Sequence, residues 1–177
     1  MEGFSTVHSV FNFGRALCLV VPALLLSGCQ DETGALKGRV VRVSDGDTVV
    51  VLDSSQQEHK IRLAGIDAPE KAQAFGMRSK EALSTLIFDH QVSVIVGKTD
   101  RYGRTIGKIM LDGADVNIEQ VKAGYAWHYK KYQNDQPPED RISYARAEEE
   151  AQTKKLGLWA DPSPTPPWDF RKEAKEK

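Results

Sequence analysis

Two aspartates, one glutamate and two arginines stand out in this sequence, because together they supply what hydrolysis of a phosphodiester needs. Asp47 lies in Asp45-Gly46-Asp47-Thr48, which reads as a turn leading into the β-branched run Thr48-Val49-Val50-Val51-Leu52. Arg62 sits between Ile61 and Leu63 in a further strand-like segment, and Asp67 and Glu70 follow just past it in Ile66-Asp67-Ala68-Pro69-Glu70. Arg104 ends the segment Asp100-Arg101-Tyr102-Gly103-Arg104. If the segments on either side of residues 53–58 pair as a hairpin, Asp47 and Asp67 meet at the same open end. Two carboxylates without Cys or His beside them form a hard oxygen site, suited to calcium or magnesium and not to zinc. Pro69 pushes Ala68 toward extended geometry, which can aim its carbonyl at the same ion. Guanidinium forks bind phosphate bidentately and do not lose their charge. Each feature alone has an ordinary reading: an Asx turn, loop decoration, a surface charge. The constellation carries the chemistry.

Periodicity predicts the elements that must position these groups. From Gly38, Val41 and Val43 alternate with Arg42 as a first strand; Thr48–Leu52 and Lys60–Ala64 form the second and third. A helix is predicted from Gly76 to Phe88, with Leu83, Leu86 and Ile87 on one face. Val92, Val94 and Val96 alternate along a fourth strand, and Arg104 to Leu111 makes a fifth. A short helix from Asp115 to Ala123 is stopped by Gly124, and a last one follows Pro137-Pro138 with Tyr144, Ala147 and Ala151 on one face. Trp127 is expected to pack between the barrel and that helix, and His128 to lie at the surface. Residues 161–167 are too proline-rich for helix or strand and are expected to run extended, pinned by Trp159, Trp168 or Phe170; residues 171–177 are expected to fray. This order suits an α+β fold, a five-stranded OB-type Greek-key β-barrel with three helices. An open α+β sheet satisfies the same periodicity.

The chain has 177 residues, 24 Lys+Arg and 25 Asp+Glu, for a net charge of -1, with 40% hydrophobic and 28% charged residues. These values fit one soluble globular domain and exclude a polyanion binder driven by bulk charge. At the N-terminus an apolar run from Ala16 to Leu26 follows Arg15 and ends in Leu26-Ser27-Gly28-Cys29. The run is short for a membrane span and fits a signal peptide. Its last four residues resemble a bacterial lipobox, which would make Cys29 the lipidated first residue of the mature chain; a plain signal peptide is the other reading. The expected organisation is a leader at 1–28, a tether at 29–37, the catalytic domain at 38–160 and a Pro-rich, then charged, tail at 161–177. With Cys18 removed and Cys29 modified, the mature chain has no disulfide.

The segments Asp-Gly-Asp-Thr, Ile-Arg-Leu-Ala-Gly-Ile-Asp-Ala-Pro-Glu and Asp-Arg-Tyr-Gly-Arg, in this order and spacing, resemble the staphylococcal-nuclease (thermonuclease) family. Asn117, Gly124-Tyr125-Ala126-Trp127 and Gly157-Leu158-Trp159 extend the match over about Gly38 to Trp159. The resemblance implies an OB-type barrel with three helices and a calcium-dependent nuclease that leaves 3′-phosphate ends on DNA or RNA. It implies one calcium ion held by Asp47, Asp67 and the carbonyl of Ala68, with Glu70 activating water and Arg62 and Arg104 on the phosphate. Asp45 and Asp100 would support these groups from behind.

The stretch Lys71–Phe75 is shorter than the family's mobile loop, and the family's substrate-facing tyrosines have no clean match, with Tyr129 and Tyr132 as the nearest candidates. Lys98, Arg101, Arg104, Lys108, Lys130 and Lys131 are expected to line a basic groove that prefers single-stranded or frayed nucleic acid. The expected protein is a monomer, lipid-anchored in the bacterial envelope and facing the periplasm or exterior. The competing reading is a catalytically silent nucleic-acid-binding OB-fold lipoprotein.

Overall fold

The computed structural model of the chain describes residues 1, 3 and 35–176. The expected leader, Cys29 and most of the expected tether lie outside the described residues. The chain divides into two units, Met1–Asp31 and Glu32–Lys177, and the fold described here belongs to the second.

Five strands build it: β1 (Ala35–Asp45), β2 (Thr48–Asp53), β3 (Glu58–Leu63), β5 (Gln91–Thr99) and β6 (Thr105–Leu111). The long β1 serves two neighbours, pairing antiparallel with β2 over Gly38–Asp45 and with β5 over Ala35–Arg39. Two register shifts, between Val40 and Arg42 and between Val43 and Asp45, mark bulges that let it bend from one partner to the other. β2 and β3 form the expected hairpin, β5 pairs with β6, and β3 then runs parallel to β6, Ile61–Leu63 against Thr105–Gly107. That last pairing closes the sheet into a mixed five-stranded barrel, so the open-sheet alternative falls.

Inward residues fill the barrel: Val40, Val49, Val51, Ile61, Leu63, Val94 and Ile109 are all at or below 1% exposure. Each such aliphatic side chain contributes about 1.5–3 kcal/mol through burial. Two details differ from the periodic reading. The bulge turns Val40, not Val41, into the core beside Val43, because an extra residue flips the alternation. Val96 is 44% exposed, one residue past the end of the β1–β5 pairing at Ile95.

Short elements complete the mouth of the barrel. β4 (Ile66–Asp67) pairs with β8 (Trp127–His128), and β7 (Ala114–Asp115) pairs with the end of β6. α1 (Gly76–Ile87) buries Leu83 and Ile87 in the core. α2 (Val116–Lys122) is capped by the Asp115 carboxylate, which accepts from the N–H groups of Asn117 and Ile118. α3 (Pro138–Thr153) buries Tyr144, Ala147 and Ala151, as its spacing predicts. A fourth helix, α4 (Pro167–Glu176), is an addition to the three expected: the segment read as a fraying tail is helical, with Pro167 in its first turn, where the missing N–H costs nothing.

Candidate active site

The site is assembled from two tight turns at one mouth of the barrel. In the first, the Asp47 N–H donates to Asp45 Oδ1 at 3.1 Å, which makes Asp45-Gly46-Asp47 an Asx turn between β1 and β2. Gly46 is required there by space: a Cβ on it would stand 1.8 Å from Ser79 Oγ. The Gly46 carbonyl accepts from Gln120 Nε2 at 2.9 Å, and the same nitrogen reaches the Ser79 carbonyl at 3.1 Å. The turn is thereby clamped between α1 and α2. The second turn, at Ala64-Gly65, needs the left-handed φ of +73° that Gly65 adopts. Buried Asn117 secures it from α2, donating to the carbonyls of Ala64 at 3.0 Å and Gly107 at 3.2 Å while accepting from the Ile109 N–H.

These turns bring Asp47, Asp67 and Arg62 together. Arg62 Nη2 lies 2.9 Å from Asp47 Oδ2 and 2.8 Å from Asp67 Oδ1, so one nitrogen bridges the two carboxylates. Arg62 Nη1 donates to the carbonyls of Leu63 and Ile66. The Ala68 N–H donates to Asp47 Oδ2 at 2.7 Å, which places Ala68 against the acid pair. Thr48 Oγ1 donates to Asp47 Oδ1 at 3.1 Å. Asp47 is 6% exposed and Asp67 1%. Burial first, with Asp45 and Asp67 adding repulsion, pushes the Asp47 carboxyl up to about 7 against the pull of Arg62 and the Ala68 N–H. At Asp47 the positive charge of Arg62 falls short of offsetting burial and repulsion.

That shortage, and a donor set of oxygens alone, fit a hard divalent cation such as calcium. Among the described residues no group of three or more His, Cys, Asp or Glu side chains stands at metal-ligand spacing. Glu70 lies at the rim with its side chain 41% exposed, its N–H donating to Gln73 Oε1 at 3.1 Å.

Arg104 precedes β6, two residues before Ile106, the parallel partner of Arg62. Strand alternation puts both arginines on the outward face of the β3–β6 seam. The Arg104 guanidinium is held by Asp100 Oδ2 at 2.7 Å and lies over the Tyr102 ring. Asp100 also accepts from the N–H groups of Tyr102 and Arg104 and shapes the turn. Asp45 and Asp100 each hold a turn, the first beside Asp47 and the second at Arg104.

Sequence reasoning missed one residue in direct contact with the acids. Arg171, on α4, donates from Nη2 to Asp67 Oδ2 at 2.7 Å, and from Nη1 to Asp67 Oδ1 at 3.2 Å and Glu70 Oε1 at 2.7 Å. Nothing local signals this, because its partners are 101 to 104 residues away in the chain. Trp168, one turn earlier, stacks on Tyr129 with ring centres 5.5 Å apart and planes 18° from parallel. Trp127 packs edge-on against Trp159 and Trp168.

His128 is a correction to the sequence reading: it is buried, at 2% exposure, with Nε2 2.9 Å from Gln136 Oε1. Its place on β8, opposite Ile66, turns it inward. The expected basic groove is largely neutralised: Lys98 pairs with Asp135, Lys108 with Asp140 and Lys130 with Glu148. Arg101 and Lys131 instead lie over the rings of Tyr102 and Tyr132. A cleft of about 390 Å³ lined by Trp127, Tyr129, Lys130, Lys131 and Trp168 adjoins the site.

The profile of the staphylococcal nuclease homologue family matches residues 60–161. The chain is 42% identical over 151 residues to a Haemophilus influenzae protein described as an uncharacterized endonuclease, covering 85% of this chain and 80% of that one. It is 38% identical over 169 residues to a protein of Shigella flexneri named micrococcal nuclease, covering 90% and 94%. It is 40% identical over 151 residues to Protein ParB of Escherichia coli, covering 80% and 82%.

Proposed function

The chain belongs to the staphylococcal nuclease homologue family and is an endonuclease that hydrolyses phosphodiester bonds; from that premise we propose a calcium-dependent enzyme of low sequence specificity that leaves 3′-phosphate ends on DNA or RNA. The observation that carries the proposal is the convergence of Asp47, Asp67 and Arg62 through one guanidinium nitrogen, with Glu70 at the rim of the same mouth. Asp47, Asp67 and the Ala68 carbonyl would hold one calcium ion, which when bound polarises a phosphate oxygen and offsets charge built up in the transition state.

The chain's own groups do the rest. Glu70, partly exposed, takes the proton of the attacking water. Arg62 and Arg104, on one face of the β3–β6 seam, bind the phosphate and strengthen as its charge grows. Arg62 must turn part of its fork from Asp47 and Asp67 to do so. Asp100 holds the Arg104 guanidinium ready. Single-stranded or frayed nucleic acid is preferred, since base faces must be free to stack on aromatic side chains such as Tyr129.

We assign the nuclease domain to residues 38–160 and place the protein in the bacterial envelope as a monomer, anchored through lipid on Cys29 after removal of residues 1–28. The support for the anchor is the apolar run ending in Leu26-Ser27-Gly28-Cys29. Cys29→Ser protein should leave the membrane fraction; if it stays, the lipid anchor is wrong.

The direct test of the activity is denatured DNA incubated with the protein and calcium, and again with excess chelator. Cleavage in the first alone is expected. Glu70→Gln should lower the rate by about 10²–10⁴-fold while DNA binding persists. A wild-type rate in Glu70→Gln removes Glu70 from the chemistry, and cleavage under chelator removes the metal.

A further inference from the structure

We propose that the C-terminal helix α4 is an autoinhibitory strap that seats Arg171 on Asp67 and Glu70 and Trp168 on Tyr129, and must swing out before cation and substrate enter. This rests on the reading of Asp67 as a cation ligand and of Glu70 as the base. Both oxygens of Asp67 accept from Arg171, and Oδ1 accepts from Arg62 as well, so while Arg171 is seated only one of the carboxylate's roughly four acceptor sites, on Oδ2, is left for a metal ion. Arg171 Nη1 also occupies Oε1 of Glu70, one of the two oxygens that would receive the water's proton. Trp168 and Arg171 are three residues apart on one face of the helix. They present an aromatic ring to Tyr129 and a cation to the acids, the two contacts that a stacked base and a metal ion would make.

The strap is built to let go. Among the residues of α4 only Pro167 is buried, and a helix of ten residues is marginal without packing. Its connector, residues 161–166, contains Pro162, Pro164 and Pro166 and behaves as a short semi-rigid arm. Outside the site the arm is tied by Gln73 Nε2, which donates to the Thr165 carbonyl at 2.6 Å. The seam between strap and domain is loosely filled: a cavity of about 220 Å³ lies between Pro69, Gln73 and Phe75 on one side and Pro164, Thr165 and Phe170 on the other. The indole N–H groups of Trp127 and Trp159, in the cluster that Trp168 packs against, are buried without a hydrogen-bond partner among the described residues. Such a contact closes by a few charge-assisted bonds and opens when those bonds are outcompeted.

The test compares full-length wild type, Arg171→Ala and Trp168→Ala by calorimetric calcium titration without nucleic acid, and by hydrogen exchange of residues 167–176. Arg171→Ala should bind calcium about tenfold more tightly, because the closed state no longer competes. Trp168→Ala should shift in the same direction by less. In wild type, calcium should raise exchange in α4. Equal calcium affinity in all three proteins, or α4 amides that stay protected when calcium saturates, overturns the strap while leaving the metal reading intact. Absence of calcium binding in all three overturns both. Weaker binding in Arg171→Ala makes Arg171 a supporting residue of the site and overturns the inhibition.

Discussion

Asp47 and Asp100 have the same kinds of partner and respond in opposite ways. Each lies beside an arginine, each accepts from a backbone N–H, and each sits in a turn that leads into a strand. Asp47 is pushed up to about 7, whereas Asp100 is held below the usual carboxylate range. At Asp47, burial dominates, and Asp45 and Asp67 add repulsion that Arg62 offsets only in part. At Asp100 burial is again the largest single influence, but the Arg104 N–H, the Arg104 guanidinium and the Tyr102 N–H together outweigh it. The difference lies first in how deeply each acid is buried, and then in the carboxylates crowded around Asp47. Arg104 serves one acid, while Arg62 serves two in a dry corner. The first arrangement holds a loop; the second leaves a place for a further positive charge, which Arg171 fills in this conformation.

The sharpest way to break the comparison is to neutralise each acid in turn. Asp47→Asn should lower calcium-dependent cleavage by more than about 10³-fold, because a ligand is lost. Asp100→Asn should lower it by only about 10–100-fold, through a loosened Arg104. Equal losses, read as initial rates on denatured DNA, would erase the distinction between the two acids. Next, calcium affinity should weaken about tenfold per pH unit below about 7, since Asp47 must release its proton to coordinate. Calorimetry at pH 5.5–8 checks this (about the range that brackets the carboxyl), and Asp100→Asn should leave the profile where it is.

The smallest effect is on stability without metal. The folded Asp47 carboxyl binds its proton more tightly than the unfolded one, so its contribution is full below about 4. It is lost as pH rises to about 7. Urea midpoints under chelator should therefore fall across that window, and Asp47→Asn should flatten the slope. Asp100, held low, acts with the opposite sign: its contribution is present above its ordinary range and is lost as pH falls.

Much of the site was legible because its parts are local. The Asx turn at Asp45–Asp47, the glycine turn at Gly65 and the extended residue before Pro69 are written in adjacent residues, and the hairpin of β2 and β3 carries Asp47 to Asp67. The barrel strands were legible from β-branched alternation, except where a bulge near Val41 shifted the phase and where β5 ran past its pairing with β1 at Val96. His128 was misread because a lone polar residue in an aromatic run looks exposed until the pairing of β4 with β8 turns it inward. The clamps from Gln120 and Ser79 were invisible, being polar residues on helices that become inward-facing only once α1 and α2 dock.

The composition and the ordered spacing of short segments determined the fold class and the kind of chemistry, since turn geometry and strand alternation depend on near neighbours. Only the folded chain decided which cation meets which acid. Arg62 was placed between two carboxylates, lysines of the expected groove were matched with acids from other elements, and a charged, proline-led tail was seated as a helix over Asp67 and Glu70. Electrostatic partners act through space over a few ångströms, and sequence distance says nothing about which groups arrive there.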